Sequence, residues 1–273
     1  MKRCLLFVVL LCVVVALSAV RTKVIDEENE FGGQTIKTTY STGMRYHTEE
    51  NVRTTIEYHD TSDQIVKVQK YLINGMVGYE YYERGSLRRI EWERPDLTFE
   101  SIEYFAPDGA IERIEWFCKG EERIIDHVIF YEADLISRIE RTPPDEPRVI
   151  EHYDAGVLAR IDLHRADGTL EYTQHYDERK KLRQRDMFKP DGKLEKEFFF
   201  DEKENLIREV WYQRTGKKTV SHFEKRRKVK TEFFDRYDRL EKICYYNKDG
   251  AMTHYEKYDA TGAIIETRRF ELD

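Results

Sequence analysis

Aromatic residues recur along most of this chain at a nearly constant interval. In the second half the step is 11 or 12 residues, with histidine once in place of an aromatic: Tyr153, His164, Tyr176, Phe188, Phe200, Tyr212, Phe223, Phe234, Tyr246, Tyr258 and Phe270. About six residues after most of these positions an aliphatic or methionine follows: Leu158, Leu170, Leu182, Leu194, Leu206, Leu240, Met252 and Ile264. The first half has members with looser spacing: Tyr58, Tyr71, Tyr82, Phe105, Phe117 and Tyr131. Such self-similarity predicts a repeat protein, here with about twenty copies of one short unit.

The segment between each aromatic and the next aliphatic has the chemistry of a tight turn. Lys189–Gly192, Ala106–Gly109 and Lys248–Gly250 all end in Asp-Gly. Aspartate suits the third position of a type I turn, and glycine takes the left-handed conformation of the residue that follows. This combination is a common hairpin connection. A turn about every 12 residues leaves about seven for each strand, which is too few for a helical crossover, so we predict consecutive antiparallel strands.

The predicted strands lack a cleanly apolar face. In Leu194–Phe200 one face carries a leucine, a lysine and two phenylalanines, and the other carries two glutamates and a phenylalanine. Ile111–Phe117 shows a similar mixture. A sandwich needs one apolar face on each sheet. We therefore predict an all-β fold, an antiparallel meander of consecutive strand-turn repeats that forms an extended, twisted or coiled sheet. A closed barrel is the alternative.

Residues 1–19 have the features of a Sec-type signal peptide. A short positive start precedes the apolar run Leu5–Leu17, and small residues allow cleavage after Ser18 or Ala19. The run is short for a helix that must cross ~30 Å of hydrocarbon, so we expect cleavage rather than a membrane anchor. The predicted location is therefore the periplasm, the cell surface or the extracellular space.

Two further segments depart from the repeat. Residues 20–35 include the acidic stretch Asp26–Gly33, for which we predict a flexible leader. Residues 36–273 form the predicted repeat domain. Residues 142–147 hold three of the six prolines. Because proline cannot donate to a strand ladder, we predict a long turn there, acting as a bend within one sheet or as a hinge.

The composition excludes several classes of protein. The chain is 36% charged with a net charge of −7, and its 13% aromatic content favours a folded chain over disorder. No basic stripe is present, so we expect no nucleic-acid partner. The basic cluster Lys225–Lys228 falls at a repeat turn, where we predict a solvated loop. After signal cleavage only Cys118 and Cys244 remain, which is far below the density of a disulfide scaffold and leaves open whether they pair.

The repeat units resemble those of known protein families. Tyr153–Leu158, Tyr258–Ile264 and Phe188–Leu194 resemble YD (RHS-type) repeats, and Tyr81–Leu87 is similar to the MORN-variant hairpin repeats of many bacterial exported proteins. The likeness covers most of residues 58–270, although RHS-type repeats are longer, nearer twenty residues. The resemblance implies a bacterial envelope or secreted protein with a non-catalytic role, and no functional residues carry over.

No motif in the sequence specifies a reaction. Zinc-type histidine motifs, paired-cysteine motifs, nucleophile elbows and phosphate loops are missing, so we predict no catalytic residue, no cofactor and no metal site. His152, His164 and His175 lie in successive strands, but antiparallel hairpins place the last two toward opposite edges. The tryptophans each follow an aliphatic position by five residues, and we predict that they line one face, either packing there or forming a strip that binds sugar or peptide: Trp92, Trp116 and Trp211.

These observations favour an exported, non-catalytic repeat scaffold. Its Tyr-rich, mixed-charge sheet surface would bind a protein or glycan partner, because tyrosine and tryptophan are effective contact residues. We expect no membrane association after signal cleavage, and edge strands would be available for self-association. Two alternatives are an outer-membrane β-barrel and a hydrolase with its site near the Pro-rich loop at 142–147.

Overall fold

The computed structural model describes residues 20–26, 29–45, 51–120, 123–142 and 146–271. In these ranges the chain is all-β, without a helix, and strands follow one another along the sequence as predicted. They are β1 Val20–Asp26, β2 Gly32–Arg45, β3 Asn51–Asp60, β4 Ile65–Leu72, β5 Val77–Glu83, β6 Ser86–Glu93, β7 Phe99–Phe105, β8 Ile111–Phe117, β9 Ile125–Glu132, β10 Leu135–Arg141, β11 Val149–Asp154, β12 Val157–His164, β13 Leu170–Tyr176, β14 Leu182–Phe188, β15 Leu194–Phe200, β16 Leu206–Tyr212, β17 Lys218–Glu224, β18 Arg227–Phe234, β19 Leu240–Tyr246, β20 Met252–Tyr258 and β21 Ile264–Arg269.

Strand pairing is antiparallel and joins sequence neighbours, which confirms the predicted meander. The chain divides into two compact units, residues 1–136 and 137–273. In the first unit the pairing runs in order from β1 to β9. In the second it runs from β10 to β21. Among the described residues neither unit pairs its first strand with its last, so the structure does not support a closed barrel or the outer-membrane barrel that the alternative function requires.

Most hairpins close through the predicted turn. In the turn after β14 the Gly192 N–H donates to the Lys189 carbonyl at 2.9 Å, and Gly192 has a φ of 78°. The left-handed position also accepts other residues, such as Lys180 at φ 60° in the preceding turn. A second turn type has two successive left-handed residues and a two-residue loop. One example is Lys225-Arg226, between β17 and β18, so the basic cluster does lie at a hairpin tip.

In most hairpins the recurring aromatic and aliphatic positions form the cross-strand pair next to the turn. Tyr176 pairs with Leu182 and Phe188 pairs with Leu194. Just inside each pair the register shifts by one residue, which is a β-bulge that increases the local twist. The repeat consensus therefore records two side chains that pack against each other beside a turn.

Successive repeats are turned over relative to one another. Tyr172 in β13 and Gln184 in β14 occupy the same repeat position, two residues after the aliphatic. Gln184 pairs with His175, whereas Tyr172 lies on the opposite face of β13 and pairs with Met187. A residue type that recurs in every repeat therefore alternates between the two faces. This is why both faces carry the mixture of aromatic and charged residues seen in the sequence.

Turns that lie two repeats apart contact each other along the same edge of a unit. Arg165 donates from Nη1 to the Leu170 carbonyl at 2.7 Å within its own hairpin, and from Nη2 to the Phe188 carbonyl at 2.5 Å. Arg94 makes the same bridge in the first unit, with Nη2 donating to the Phe117 carbonyl at 3.1 Å. These side chains tie alternate hairpins together, in addition to the backbone ladder.

The first unit has an ordered row of rings and cations on one face. Cross-strand pairing aligns Tyr58, Lys67, Tyr81, Arg89, Tyr104, Arg113 and Phe130, which we call the ring–cation row. The Arg113 guanidinium lies 3.8 Å from the centre of the Tyr104 ring, and Arg89 lies 4.3 Å from that of Tyr81. Glu115 completes one triad, since it accepts from the Tyr104 hydroxyl at 3.1 Å and from Arg113 Nε at 3.0 Å.

The N-terminal segments depart from the sequence analysis in one respect. Residues 20–35, for which a leader is predicted, contain β1 and the start of β2. The physical reason is the β-branched content of Val20–Ile25, which suits a strand and which the neighbouring acidic stretch obscures. The signal peptide and residues 143–145 of the Pro-rich turn lie outside the described residues, so the cleavage site and the bend or hinge stay predictions.

Asp235 provides a test of how the turns respond to pH. Its Oδ1 accepts from the backbone N–H groups of Tyr237 at 2.8 Å and Arg239 at 3.0 Å. These bonds and the Arg239 guanidinium lower the Asp235 pKa from 3.8 to about 2. The stabilisation is therefore present above the unfolded-state pKa and is lost as the pH falls through the folded-state value. Between about pH 5 and about pH 2 we expect the melting temperature to fall less in Asp235→Asn than in the unmodified chain.

Asparagine is a suitable replacement because Asn247 already holds this turn position and accepts from Asp249 N at 3.0 Å and Ala251 N at 2.9 Å. Asp249→Asn is the matched control. It also removes one negative charge from a turn, but there Asn247 accepts the backbone hydrogen bonds. Equal pH dependence in the two variants would contradict the assignment.

Candidate binding cleft on the first unit

Both tryptophans of the first unit belong to one row of cross-strand partners. The row crosses β4 to β9 on the face opposite the ring–cation row. It consists of Lys70, Gly78, Trp92, Ser101, Trp116 and His127. Ser101 therefore lies between the two tryptophans and pairs with both of them. We call these six residues the Trp row.

Each indole is supported on the side away from Ser101. The Trp92 ring lies over Gly78, where an added Cβ would come within 2.6 Å of the ring atom Cζ3. Trp116 stacks on His127, with the ring centres 6.0 Å apart and the ring planes at 14°. Because both rings find their support on the outer side, space remains between them above Ser101, which is itself only 3% exposed.

This space is a cleft of about 250 Å³, which we call the Trp cleft. It is lined by Leu72, Met76, Trp92, Glu100, Ser101, Glu103 and Trp116. Glu100 reaches it because of a bulge: Trp92 pairs with Ser101 and Glu93 pairs with Phe99, which leaves Glu100 as the extra residue. Bulges commonly redirect a side chain in this way.

Glu103 is the most electrostatically perturbed carboxyl group of the cleft. Its pKa is raised, chiefly by burial and also by the nearby Glu80 carboxylate, while a hydrogen bond from Trp92 acts in the opposite direction. In that bond Trp92 Nε1 donates to Glu103 Oε1 at 3.0 Å. Glu103 therefore fixes the orientation of the Trp92 indole and places a carboxyl group in the cleft.

A buried ion pair lies beside the Trp cleft. The side chains of Lys70 and Glu80 are 2% and 6% exposed and contact each other directly. Glu80 Oε2 also accepts from the Tyr82 hydroxyl at 2.8 Å. Burial lowers the Lys70 pKa, and the hydrogen bond and charge of Glu80 oppose that shift. Lys70 is the end of the Trp row, next to Gly78 on the side away from Trp92.

The indole nitrogen of Trp116 is a donor with no acceptor. Among the described residues Trp116 Nε1 is buried and has no hydrogen-bond partner. Buried N–H groups in proteins are nearly always paired. The accessible surface that Trp116 gives the cleft is therefore its ring and not this nitrogen.

The three tryptophans of the predicted strip lie in two different units. Trp92 and Trp116 lie on one face of the first unit and line one cleft, whereas Trp211 lies in the second unit, pairs with Lys196 and Thr219, and is 45% exposed. The binding strip stays a prediction. Sequence reasoning missed Glu100, Glu103 and Gly78. Gly78 gave the clearest signal, since a glycine inside a strand often marks a place where another group approaches the backbone closely.

The histidines of successive strands take different positions. His164 closes a hairpin with Leu170, in the place of the repeat aromatic, as predicted. His152 and His175 both pair with Arg160, on one face of the second unit. His152 Nε2 lies 2.9 Å from Asp162 Oδ2, and Arg160 Nη2 lies 3.0 Å from the same nitrogen.

In the described part of the chain no three histidine, cysteine or acidic side chains are grouped to hold a metal ion. The same residues contain no helix long and apolar enough to cross a membrane.

Comparisons with known proteins give only weak likenesses. No protein-family model and no curated protein matches the chain. Among solved structures, a mutant of S. aureus TarM in complex with fondaparinux, alpha-GlcNAc-glycerol and UDP is 10% identical, with a TM-score of 0.19, over 64% of this chain and 23% of that chain. TcdB2-TccC3 without its hypervariable C-terminal region is 10% identical, with a TM-score of 0.25, over 91% of this chain and 18% of that chain. This chain spans less than a quarter of either, and likenesses this weak carry no argument. The resemblance to YD and MORN-variant repeats stays a prediction.

The contact between Trp92 and Gly78 can be tested with a double-mutant cycle. Gly78→Ala would force the Trp92 ring to move, and we expect it to destabilise the first unit by about 1–3 kcal/mol, as overpacking does. In the Trp92→Ala background the same change should cost much less, because the clash is gone. Urea unfolding followed by circular dichroism measures all four proteins. Equal costs in the two backgrounds would show that the ring does not lie over Gly78.

The buried ion pair gives a second test. Lys70→Met leaves the Glu80 charge buried without its counter-charge, and we expect a loss of about 3–5 kcal/mol in the free energy of unfolding. The double variant Lys70→Met/Glu80→Gln removes both charges and should recover most of that loss. Urea unfolding at neutral pH provides the measurement. A double variant no more stable than the single one would contradict the pairing.

Proposed function

We propose that this chain is an exported, non-catalytic repeat scaffold that holds a protein or glycan partner in the Trp cleft. The observation that carries the proposal is the arrangement of two indoles, each supported from its outer side, around a buried serine on a sheet face. Concave sites lined by apolar and aromatic side chains, with a few polar groups, are where proteins usually bind ligands. Aromatic residues are also enriched in the centres of binding interfaces.

Export is the part of the proposal that rests on the sequence. The apolar run Leu5–Leu17, the short positive start before it and the small residues near Ser18 are typical of a cleaved signal. The low cysteine content after cleavage is compatible with a sheet held by packing and hydrogen bonds. The protein would then act in the periplasm, on the cell surface or outside the cell.

A glycoside hydrolase is the second candidate function, favoured by one observation. Burial raises the Glu103 pKa, and a second carboxyl group, from Glu100, lines the same cleft. Glycoside hydrolysis uses two carboxyl groups, one of them an acid with a raised pKa. For this candidate function we propose the Trp cleft as the site, in place of the Pro-rich loop at 142–147. The scaffold remains the first proposal because Glu103 is already engaged by Trp92 and serves to orient it.

A binding panel tests the proposed function. The full chain is applied to immobilised glycans and peptides, and products are analysed for cleavage after incubation. We expect saturable binding to at least one member without cleavage, weakened about tenfold or more by Trp92→Ala, as removal of a central aromatic contact does. Trp211→Ala is the matched control, since Trp211 is exposed and does not line the cleft. No binding to any member would contradict the scaffold, and cleavage that Glu103→Gln abolishes would favour the hydrolase.

A further inference from the structure

We infer that the Trp cleft binds a single uncharged pyranose ring, either free or as one unit of a longer glycan. This inference rests on the proposed binding function and names the class of ligand. It follows from what the cleft offers and lacks: two indole rings, two carboxyl groups, and no cationic side chain among its described lining residues.

The polar groups of the cleft require a ligand that donates hydrogen bonds. Glu103 and Glu100 line the cleft and provide carboxyl oxygens, which accept. The hydroxyl groups of a sugar ring donate, and they lie around the rim of the same ring whose faces carry C–H groups. One ring can therefore meet the carboxyl groups and the indoles together.

The apolar groups of the cleft suit the other surface of a sugar. A pyranose presents C–H groups on the faces of its ring, and these pack against an indole by dispersion and burial of apolar surface. Trp92 and Trp116 both flank Ser101, whose small side chain leaves depth between them. Leu72 and Met76 extend the apolar lining.

The size and charge of the cleft narrow the class of ligand further. A volume of about 250 Å³ is slightly below the ~300–1,000 Å³ of sites for drug-sized ligands, which fits one ring better than an oligosaccharide. Two carboxyl groups without a nearby unpaired cation disfavour anionic sugars, because like charges repel strongly at a partly buried site. Lys70 does not offset this, since its contact is with Glu80.

The inference is tested by titrating the full chain with small sugars and following the indole N–H signals of the three tryptophans by NMR. The probes are the methyl pyranosides of glucose, galactose and mannose, N-acetylglucosamine, glucuronic acid, and a lysine-rich peptide. We expect the signals of Trp92 and Trp116 to shift with at least one uncharged sugar. The Trp211 signal should stay in place, and glucuronic acid should bind at least tenfold more weakly. This titration uses the unmodified chain, so misfolding of a variant cannot affect it.

Three variants identify the groups involved. Trp116→Ala removes one of the two indole surfaces, and we expect it to weaken binding of the uncharged sugar about tenfold or more, as removal of a central aromatic contact does. Trp211→Ala is the matched control and should leave the affinity unchanged, because Trp211 does not line the cleft. Glu100→Gln/Glu103→Gln should reduce the selectivity against glucuronic acid, because both negative charges are removed while the acceptor oxygens remain.

The outcomes separate this inference from the proposed function. If no uncharged sugar shifts Trp92 or Trp116, while a peptide binds in a Trp92-dependent manner, the pyranose is wrong and the scaffold stands. Shifts of Trp211 equal to those of Trp116, or equal effects of the two alanine variants, would also overturn the assignment. If neither sugar nor peptide binds, the proposed function fails as well.

Discussion

The contact between aromatic rings and long cationic side chains on neighbouring strands is the interaction on which this structure depends. Only ten apolar residues are buried in the described part of the chain, so a conventional core contributes little. Lys67, Arg89 and Arg113 instead cover tyrosine rings on one face of the first unit. In the second unit Arg208 lies 3.8 Å from the centre of the Phe199 ring, and Lys242 lies 4.3 Å from that of Tyr255. The methylene stems bury apolar surface while the charged ends remain near water and carboxylates.

The Trp cleft arises where this pattern of cross-strand contacts is broken. At Gly78 one strand offers no side chain, so the Trp92 ring covers its backbone instead of meeting a cation. On the other side Trp116 meets a ring, His127, and its nitrogen lacks an acceptor. The bulge before Ser101 adds Glu100 to the same space. The Trp cleft therefore results from three local features. These are the glycine at position 78, the stacking of Trp116 on His127, and the extra residue Glu100 at the bulge.

Much of the fold could be predicted from the sequence, because its determinants are local. Asp-Gly at the hairpin tips and the aromatic–aliphatic spacing specify turns and strands without any long-range information. The same reasoning could not assign faces, since a bulge at most hairpins shifts the register and cannot be read from residue types. The strand Val20–Asp26 was missed because the acidic residues that follow it dominate the local composition.

The candidate site was less predictable than the fold. The spacing of Trp92 and Trp116 predicted that they share a face. Their positions on either side of Ser101 depend on the strand register, and the space between them depends on the contact of each ring with its outer neighbour. Glu103 is one of 53 acidic residues, and only the structure separates it from the others, through its burial and its bond to Trp92. Gly78 is the residue whose role a sequence reader could have suspected, because it interrupts a strand without belonging to a turn.

The turning over of successive repeats has a consequence for how such a chain can change in length. Loss or gain of one strand-turn unit would move every downstream side chain to the opposite face of the sheet. Positions equivalent to Tyr172 and positions equivalent to Gln184 would then exchange faces. It would also move each later turn to the opposite edge, and a bridge that spans the change, such as that from Arg165 to the Phe188 carbonyl, would lose its partner. Loss or gain of two units preserves both faces and edges. The hairpin, and not the single strand, is therefore the smallest unit by which this architecture can be lengthened or shortened without exchanging its two faces.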